Sequence, residues 1–259
     1  MKGILGMPFF VDTIKYMKAL KKYKIYLIGF LFLGFPTALN AFKPTQNEDR
    51  FLYFIVNPKK QSIALFYKDD KQKRFGSIQN LKTFIEQKHL KLEFAMNGGM
   101  YKKDGSPQGL YIESGKIIST IDTITNAHGN FYLQPNGIFY ITDANKAGIS
   151  TTKNFKNSNV KYATQSGPML LTDGRINDAF KEGSANLQIR NGVGMLPNGN
   201  AVFAISKEPV NFYDFALNFK NLGCKNALYL DGYVSRAYIP TQKLLQTDGD
   251  FGVIIAVKA

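Results

Sequence analysis

Leu92-Glu93-Phe94-Ala95-Met96-Asn97-Gly98-Gly99 is the stretch on which the architecture turns. Residues 92–96 are apolar but for Glu93 and read as a buried strand, and Asn97-Gly98-Gly99 marks its exit with turn-forming residues. Upstream, residues 51–56 and 63–67 read as strands parted by the turn pair Asn57-Pro58. Ser77 is placed to cap a helix whose apolar face is Ile78, Leu81, Phe84 and Ile85. Downstream, strands are expected at 109–113, 130–133, 137–142, 163–166, 188–195 and 201–206. A second helix starts near Asn211 with Phe212, Phe215, Ala216, Phe219 and Leu222 on one face, and Gly223 stands at its C′ position. The chain returns through strands at 227–230, 233–239 and 251–257. Strands outnumber helices, and the two helices lie far apart. That order gives α+β, a single domain with a mixed, mostly antiparallel β-sheet and a few packed helices.

The 259 residues are 44% hydrophobic and 20% charged, which suits a globular chain with a sizeable core. Cys224 is the one cysteine, so no internal disulfide is possible, and Ala227, Leu228 and Leu230 nearby predict its burial. The net charge of +14 is spread over scattered lysines, tryptophan is absent, and no nucleic-acid-binding motif is present; no nucleic-acid partner is expected. The charge reads first as a solvated basic surface, and second as a face that would draw anionic glycans or phosphate-bearing substrates.

Part of the charge sits near the start. Lys18, Lys21, Lys22 and Lys24 precede the apolar run 25–33, and Gly34, Pro36, Thr37 and Ala38 follow it. This is the order of an export signal, with a run too short to span a bilayer. Met17 would give a more ordinary basic region than Met1. Residues 1–41 are thus read as a signal peptide or N-terminal anchor and 42–259 as the domain. The expected destination is periplasmic or secreted, with membrane contact only through the N-terminal segment if it stays uncleaved.

Polar and glycine residues recur at strand ends. The clusters are Asn97-Gly98-Gly99-Met100-Tyr101, Gln165-Ser166-Gly167-Pro168, Arg190-Asn191-Gly192 and Asp231-Gly232-Tyr233-Val234-Ser235-Arg236. Glycine there permits positive φ and close approach of a ligand, arginine offers a planar fork to phosphate, and a strand-end aspartate can be held in one pose. One such cluster is usually a turn; recurrence at several strand ends points to a shared site. Other patterns lead nowhere: His89 and His128 have no metal-ligand spacing, Gly192-Val193-Gly194 lacks the rest of a dinucleotide fingerprint, and Ser166 is in no nucleophile elbow.

In the order Asn97-Gly98-Gly99, Pro107-x-Gly109, Gln165-Ser166-Gly167-Pro168, Arg190-x-Gly192-Val193-Gly194 and Leu230-Asp231-Gly232-x-x-Ser235, the sequence resembles the phosphodiester glycosidase family. Tyr233 and Val234 depart from it, standing where glycines are found in that family's last motif. The resemblance implies hydrolysis of a glycosyl-1-phosphodiester, with a small carbohydrate or sugar-phosphate glycan as substrate. Asp231 would activate water or stabilise the sugar cation, Arg190 would neutralise the phosphate, and Glu208 would be the second carboxylate. Asn97, Gly98, Gly99, Tyr101, Gln165, Ser166, Gly167, Gly192, Gly232, Ser235 and Arg236 would bind substrate. No cofactor is expected, and a divalent cation is left open. A non-catalytic periplasmic polysaccharide-binding protein is the alternative reading.

Overall fold

The computed structural model describes residues 50–259 other than Asn157 and Tyr233, so the expected N-terminal segment lies outside the described residues. In chain order the strands are β1 (Phe51–Val56), β2 (Ser62–Phe66), β3 (Leu92–Gly99), β4 (Tyr111–Glu113), β5 (Lys116–Ser119), β6 (Gly137–Thr142), β7 (Ala147–Thr151) and β8 (Val160–Ser166). They continue as β9 (Met169–Thr172), β10 (Arg175–Ile176), β11 (Asn191–Met195), β12 (Ala201–Ser206), β13 (Ala227–Tyr229), β14 (Ala237–Ile239), β15 (Leu244–Leu245) and β16 (Val253–Lys258). The helices are α1 (Ile78–Gln87) and α2 (Phe212–Asn221). The chain is α+β as expected, but its strands form three sheets. Their orders are β1-β12-β11-β13-β9-β10, β15-β14-β3-β16-β2 and β5-β4-β8-β6-β7, and the strand pairs described are antiparallel.

The sheets share one core because each sends a phenylalanine into it. Phe203 of the first sheet lies 4.9 Å, centroid to centroid, from Phe94 of the second and 5.7 Å from Phe139 of the third. All three rings are fully buried. Burying each contributes about 1.5–3 kcal/mol, and truncating Phe203 to alanine would cost about 3–5 kcal/mol.

Both helices cover outer faces. Asn211 caps α2 through its side chain to Asp214 N, and Phe215, Ala216 and Phe219 pack on the first sheet with Leu170, Val202 and Ala227. Ser77 caps α1, which lays Ile78, Leu81 and Ile85 on the second sheet against Ala95, Ile254 and Ala256. Gly223, at φ +82°, ends α2 as the sequence predicts. The third sheet has a smaller outer cluster, Leu110, Ile112, Ile138, Val160 and Ala163, which loops cover in place of a helix.

Three expectations need correction. Residues 130–133 are a 3-10 turn, Asn130–Tyr132, because Tyr132 N and Leu133 N bond back to Gly129 O and Asn130 O and no strand edge is offered to them. The strand at 233–239 is reduced to Ala237–Ile239, and its first residue, Tyr233, lies outside the described residues. Asn97-Gly98-Gly99 is not an exit turn. It continues β3, with Asn97 opposite Ile254 and Gly99 opposite Val253 across a bulge.

Candidate active site

Asn97 on β3, Ser166 at the end of β8, Asn191 on β11 and Asp231 just past β13 meet where the three sheets converge. The meeting is built from amides. Asn97 Nδ2 donates to Asp231 O at 2.9 Å, and Asn97 Oδ1 accepts from Asn191 Nδ2 at 2.9 Å and from Arg236 N at 3.0 Å. Asn191 Nδ2 also donates to Asn97 O at 2.9 Å, while its Oδ1 accepts from Asp231 N at 3.0 Å. Asp231 is thus held by both its backbone N–H and its C=O. Both asparagines are fully buried, where each such bond is worth more than at the surface and an unmade one is costly.

Smaller contacts complete the frame. Ser166 Oγ donates to Leu230 O at 2.5 Å, and Ser235 Oγ lies 3.1 Å from Asp231 O and 3.2 Å from Ile189 O. The glycines are there for space, not for positive φ. A carbon placed on Gly98 would lie 2.5 Å from Ile255 Cγ1, one on Gly99 would strike Thr164 Oγ1, and one on Gly192 would lie 2.8 Å from Leu228 O. At Gly232 it would strike the Tyr229 phenol, and at Gly167 it would lie 2.8 Å from both Asn136 Cβ and Phe131 O.

Asp231 is half-buried, and its charge is felt at Tyr101. Burial pushes the Tyr101 phenol above its ordinary pKa, the charges of Asp231 and Asp250 push it further, and Arg74 opposes them. The phenol therefore remains a proton donor at neutral pH. Arg74 pairs with Asp250 at 2.6 Å and donates to Phe251 O at 2.7 Å. Arg236 Nε donates to both Asp248 oxygens, at 2.9 and 3.0 Å. The half-buried Asp231 thus shares its surroundings with a protonated phenol, and two arginines that are ion-paired to Asp250 and Asp248 belong to neighbouring segments. Among the described residues no three His, Cys, Asp or Glu side chains gather as a metal site would require.

Three expected site residues are engaged elsewhere in the protein. Arg190 is buried and its donors are used inside the protein: Nε to Val210 O at 2.7 Å, and one terminal nitrogen to Asn186 O at 2.9 Å. Its guanidinium lies 3.7 Å over the Phe212 ring and 3.5 Å from Tyr229 Oη. These internal contacts, and its burial, set it against Phe212 and Tyr229. Glu208 is exposed and pairs with Arg50 at 2.5 Å, so it is not gathered with Asp231. Gln165 is also spent, its Oε1 accepting from Leu110 N and Asp122 N and its Nε2 donating to Asp122 O. Sequence reading passed over Arg74, lost in a lysine-rich stretch, and Asp250. The signal for Asp250 was Asp248-Gly249-Asp250-Phe251-Gly252, one more acidic-glycine cluster beside a strand.

Comparison with known proteins gives the family. Residues 91–252 match the phosphodiester glycosidase family, and the chain belongs to that family. It is 37% identical over 188 residues to the uncharacterised Escherichia coli (strain K12) protein YigE, covering 72% of this chain and 73% of that one. The catalytic domain of zebrafish N-acetylglucosamine-1-phosphodiester alpha-N-acetylglucosaminidase, auto-inhibited by its pro-peptide, superposes with a TM-score of 0.54 and 13% identity, over 82% of this chain and 85% of that one. A hypothetical protein from Synechocystis gives 0.52 and 13%, over 81% and 59%. At such identities the two structures share the fold with this chain.

Proposed function

We propose that this chain is an exported hydrolase that cleaves a glycosyl-1-phosphodiester to free sugar and a phosphomonoester. The observation that carries the reading is Asp231, fixed through its backbone by Asn97 and Asn191 where three sheets meet, in a phosphodiester glycosidase domain. In the proposed reaction the bond between the sugar C1 and the phosphate oxygen breaks, and water supplies the new C1 hydroxyl. The phosphate monoester is a good leaving group, so the larger demand is at C1, where positive charge develops. Asp231 stabilises that charge or takes the proton of the attacking water. Tyr101 donates a hydrogen bond to a sugar or phosphate oxygen. Arg74 and Arg236 replace Arg190 as the cations that meet the phosphate, exchanging their aspartate partners for it in part.

Export belongs to the same proposal. Residues 1–41 would direct the chain to the periplasm or beyond, with 42–259 as the working domain; N-terminal sequencing of the exported protein would locate the cut.

The test is release of reducing sugar from a panel of sugar-1-phosphodiesters by the purified full chain and by Asp231→Asn. The substitution keeps the backbone contacts and removes the charge, so kcat should fall by about a thousandfold with the urea midpoint unchanged. Full activity in the variant would remove Asp231 from the chemistry. Saturable glycan binding without turnover in the parent would favour a binding protein.

A further inference from the structure

The third sheet leaves four isoleucines in the open. Ile117 and Ile118 on β5 are 53% and 52% exposed, and Ile121 and Ile124 on the following loop are 40% and 51% exposed. Four such residues within eight positions form a patch, which soluble surfaces generally avoid. The patch opens on a cavity of about 490 Å³ lined by Leu110, Ile117, Ile121, Phe155 and Lys156 among others. It is a fixed feature, because Gln165 clamps the loop at Asp122 through both its amide oxygen and its amide nitrogen.

The exposed charge bordering the cavity is basic, and the nearest acid on the sheet, the half-buried Glu113, lies opposite Lys116 and accepts from Tyr111 Oη. Lys156 lines the cavity and Lys153 stands two residues before Phe155, both exposed, while Lys116 at the start of the β5 edge lies on the opposite face, across from Glu113. The acid within the patch, Asp122, is half-buried and engaged by hydrogen bonds: Oδ1 accepts from Ile124 N at 2.9 Å and Oδ2 from Tyr132 Oη at 3.1 Å. Apolar side chains bordered by lysines match the boundary of an anionic bilayer, with the isoleucines among acyl chains and the ammonium groups at the headgroups. A second copy fits poorly. The free edge of β5 is four residues long and begins with a lysine, and a self-contact would oppose the same lysines.

We infer that this face, the β5 edge and the 120–124 loop, docks the domain on an anionic lipid surface. This goes beyond the sequence expectation that membrane contact is confined to the N-terminal segment, and it is independent of the reaction proposed above.

The chain has no tryptophan, so a single one introduced on the patch is a clean reporter. Ile118→Trp would be compared with Ile55→Trp, an equally exposed position (53%) on another sheet. Both are made in the full chain and mixed with vesicles of phosphatidylglycerol and phosphatidylethanolamine, or of phosphatidylcholine alone. The expected result is a blue shift and quenching by brominated acyl chains for Ile118→Trp on the anionic vesicles only. Adding Lys153→Glu and Lys156→Glu should abolish both signals. No shift at Ile118→Trp, or the same shift at Ile55→Trp, overturns the inference. A shift that grows with protein concentration without lipid also overturns it, and points to a second copy.

Discussion

Asn97→Ala removes one side chain and touches three other residues. The bond to Asp231 O is lost, but that carbonyl keeps Ser235 Oγ at 3.1 Å; the bond from Asn191 Nδ2 is lost, but that amide keeps Asn97 O at 2.9 Å. Arg236 N–H loses the acceptor it had at 3.0 Å. Two bonds lost with their partners still satisfied cost about 1 kcal/mol each, and an orphaned buried N–H costs about 1–3 kcal/mol. The sum, about 3–5 kcal/mol, corresponds to a fall in Tm of roughly 10 °C for a domain of this size. Urea unfolding followed by circular dichroism measures it, and kcat on a sugar-1-phosphodiester should drop because the Asp231 loop is no longer fixed. Asn191→Ala removes the shared amide pair from the other side, so the double variant should fall short of the sum by about 1–2 kcal/mol. A loss below about 1 kcal/mol for Asn97→Ala, or additivity within about 0.5 kcal/mol, would refute the idea that these two amides hold Asp231 as a unit.

Arg190→Lys should lower stability by about 3 kcal/mol, since an ammonium cannot both stack on Phe212 and reach Val210 O and Asn186 O; lysine and methionine variants should unfold alike in urea. Burial pushes the Cys224 thiol up to about 12, so the native protein should resist thiol reagents at neutral pH and react fully in denaturant. Burial, with a smaller push from Asp231, likewise raises Tyr229 to about 12 against the opposing pull of Arg190. Its unfolded counterpart ionises near 10, so between those values the unfolded chain sheds a proton that the native one keeps. Stability should therefore fall as pH rises from about 10 and level off near 12, losing about 2–3 kcal/mol, as read by urea titrations at stepped pH with Tyr229→Phe flattening the slope.

The elements with local signatures were legible. Ser77 and Asn211 announced both helices, and the apolar runs at 51–56, 137–142 and 201–206 coincide with β1, β6 and β12. The meeting of Asn97, Ser166, Asn191 and Asp231 was foreshadowed by their place in polar clusters at strand ends. What failed to show was how each side chain is spent. Arginine in a glycine-rich cluster looks like a phosphate ligand until Phe212 is found beneath it, and that contact depends on the packing of α2 across the first sheet. Glu208 likewise gave no sign of Arg50, 158 positions earlier. Asn97-Gly98-Gly99 has the composition of a turn, but strand neighbours on β16 override it, and its glycines answer to Ile255 and Thr164.

The lock around Asp231 contains amides, hydroxyls and peptide groups, none of which gains or loses a proton between about pH 4 and 9. Acidity and salt in the surroundings can therefore change the protonation of the reacting groups without loosening the mount that aims them. A pH–rate profile of this protein would then be a titration of its chemistry alone, and a shift in that profile on mutation would identify a proton carrier instead of a loosened support.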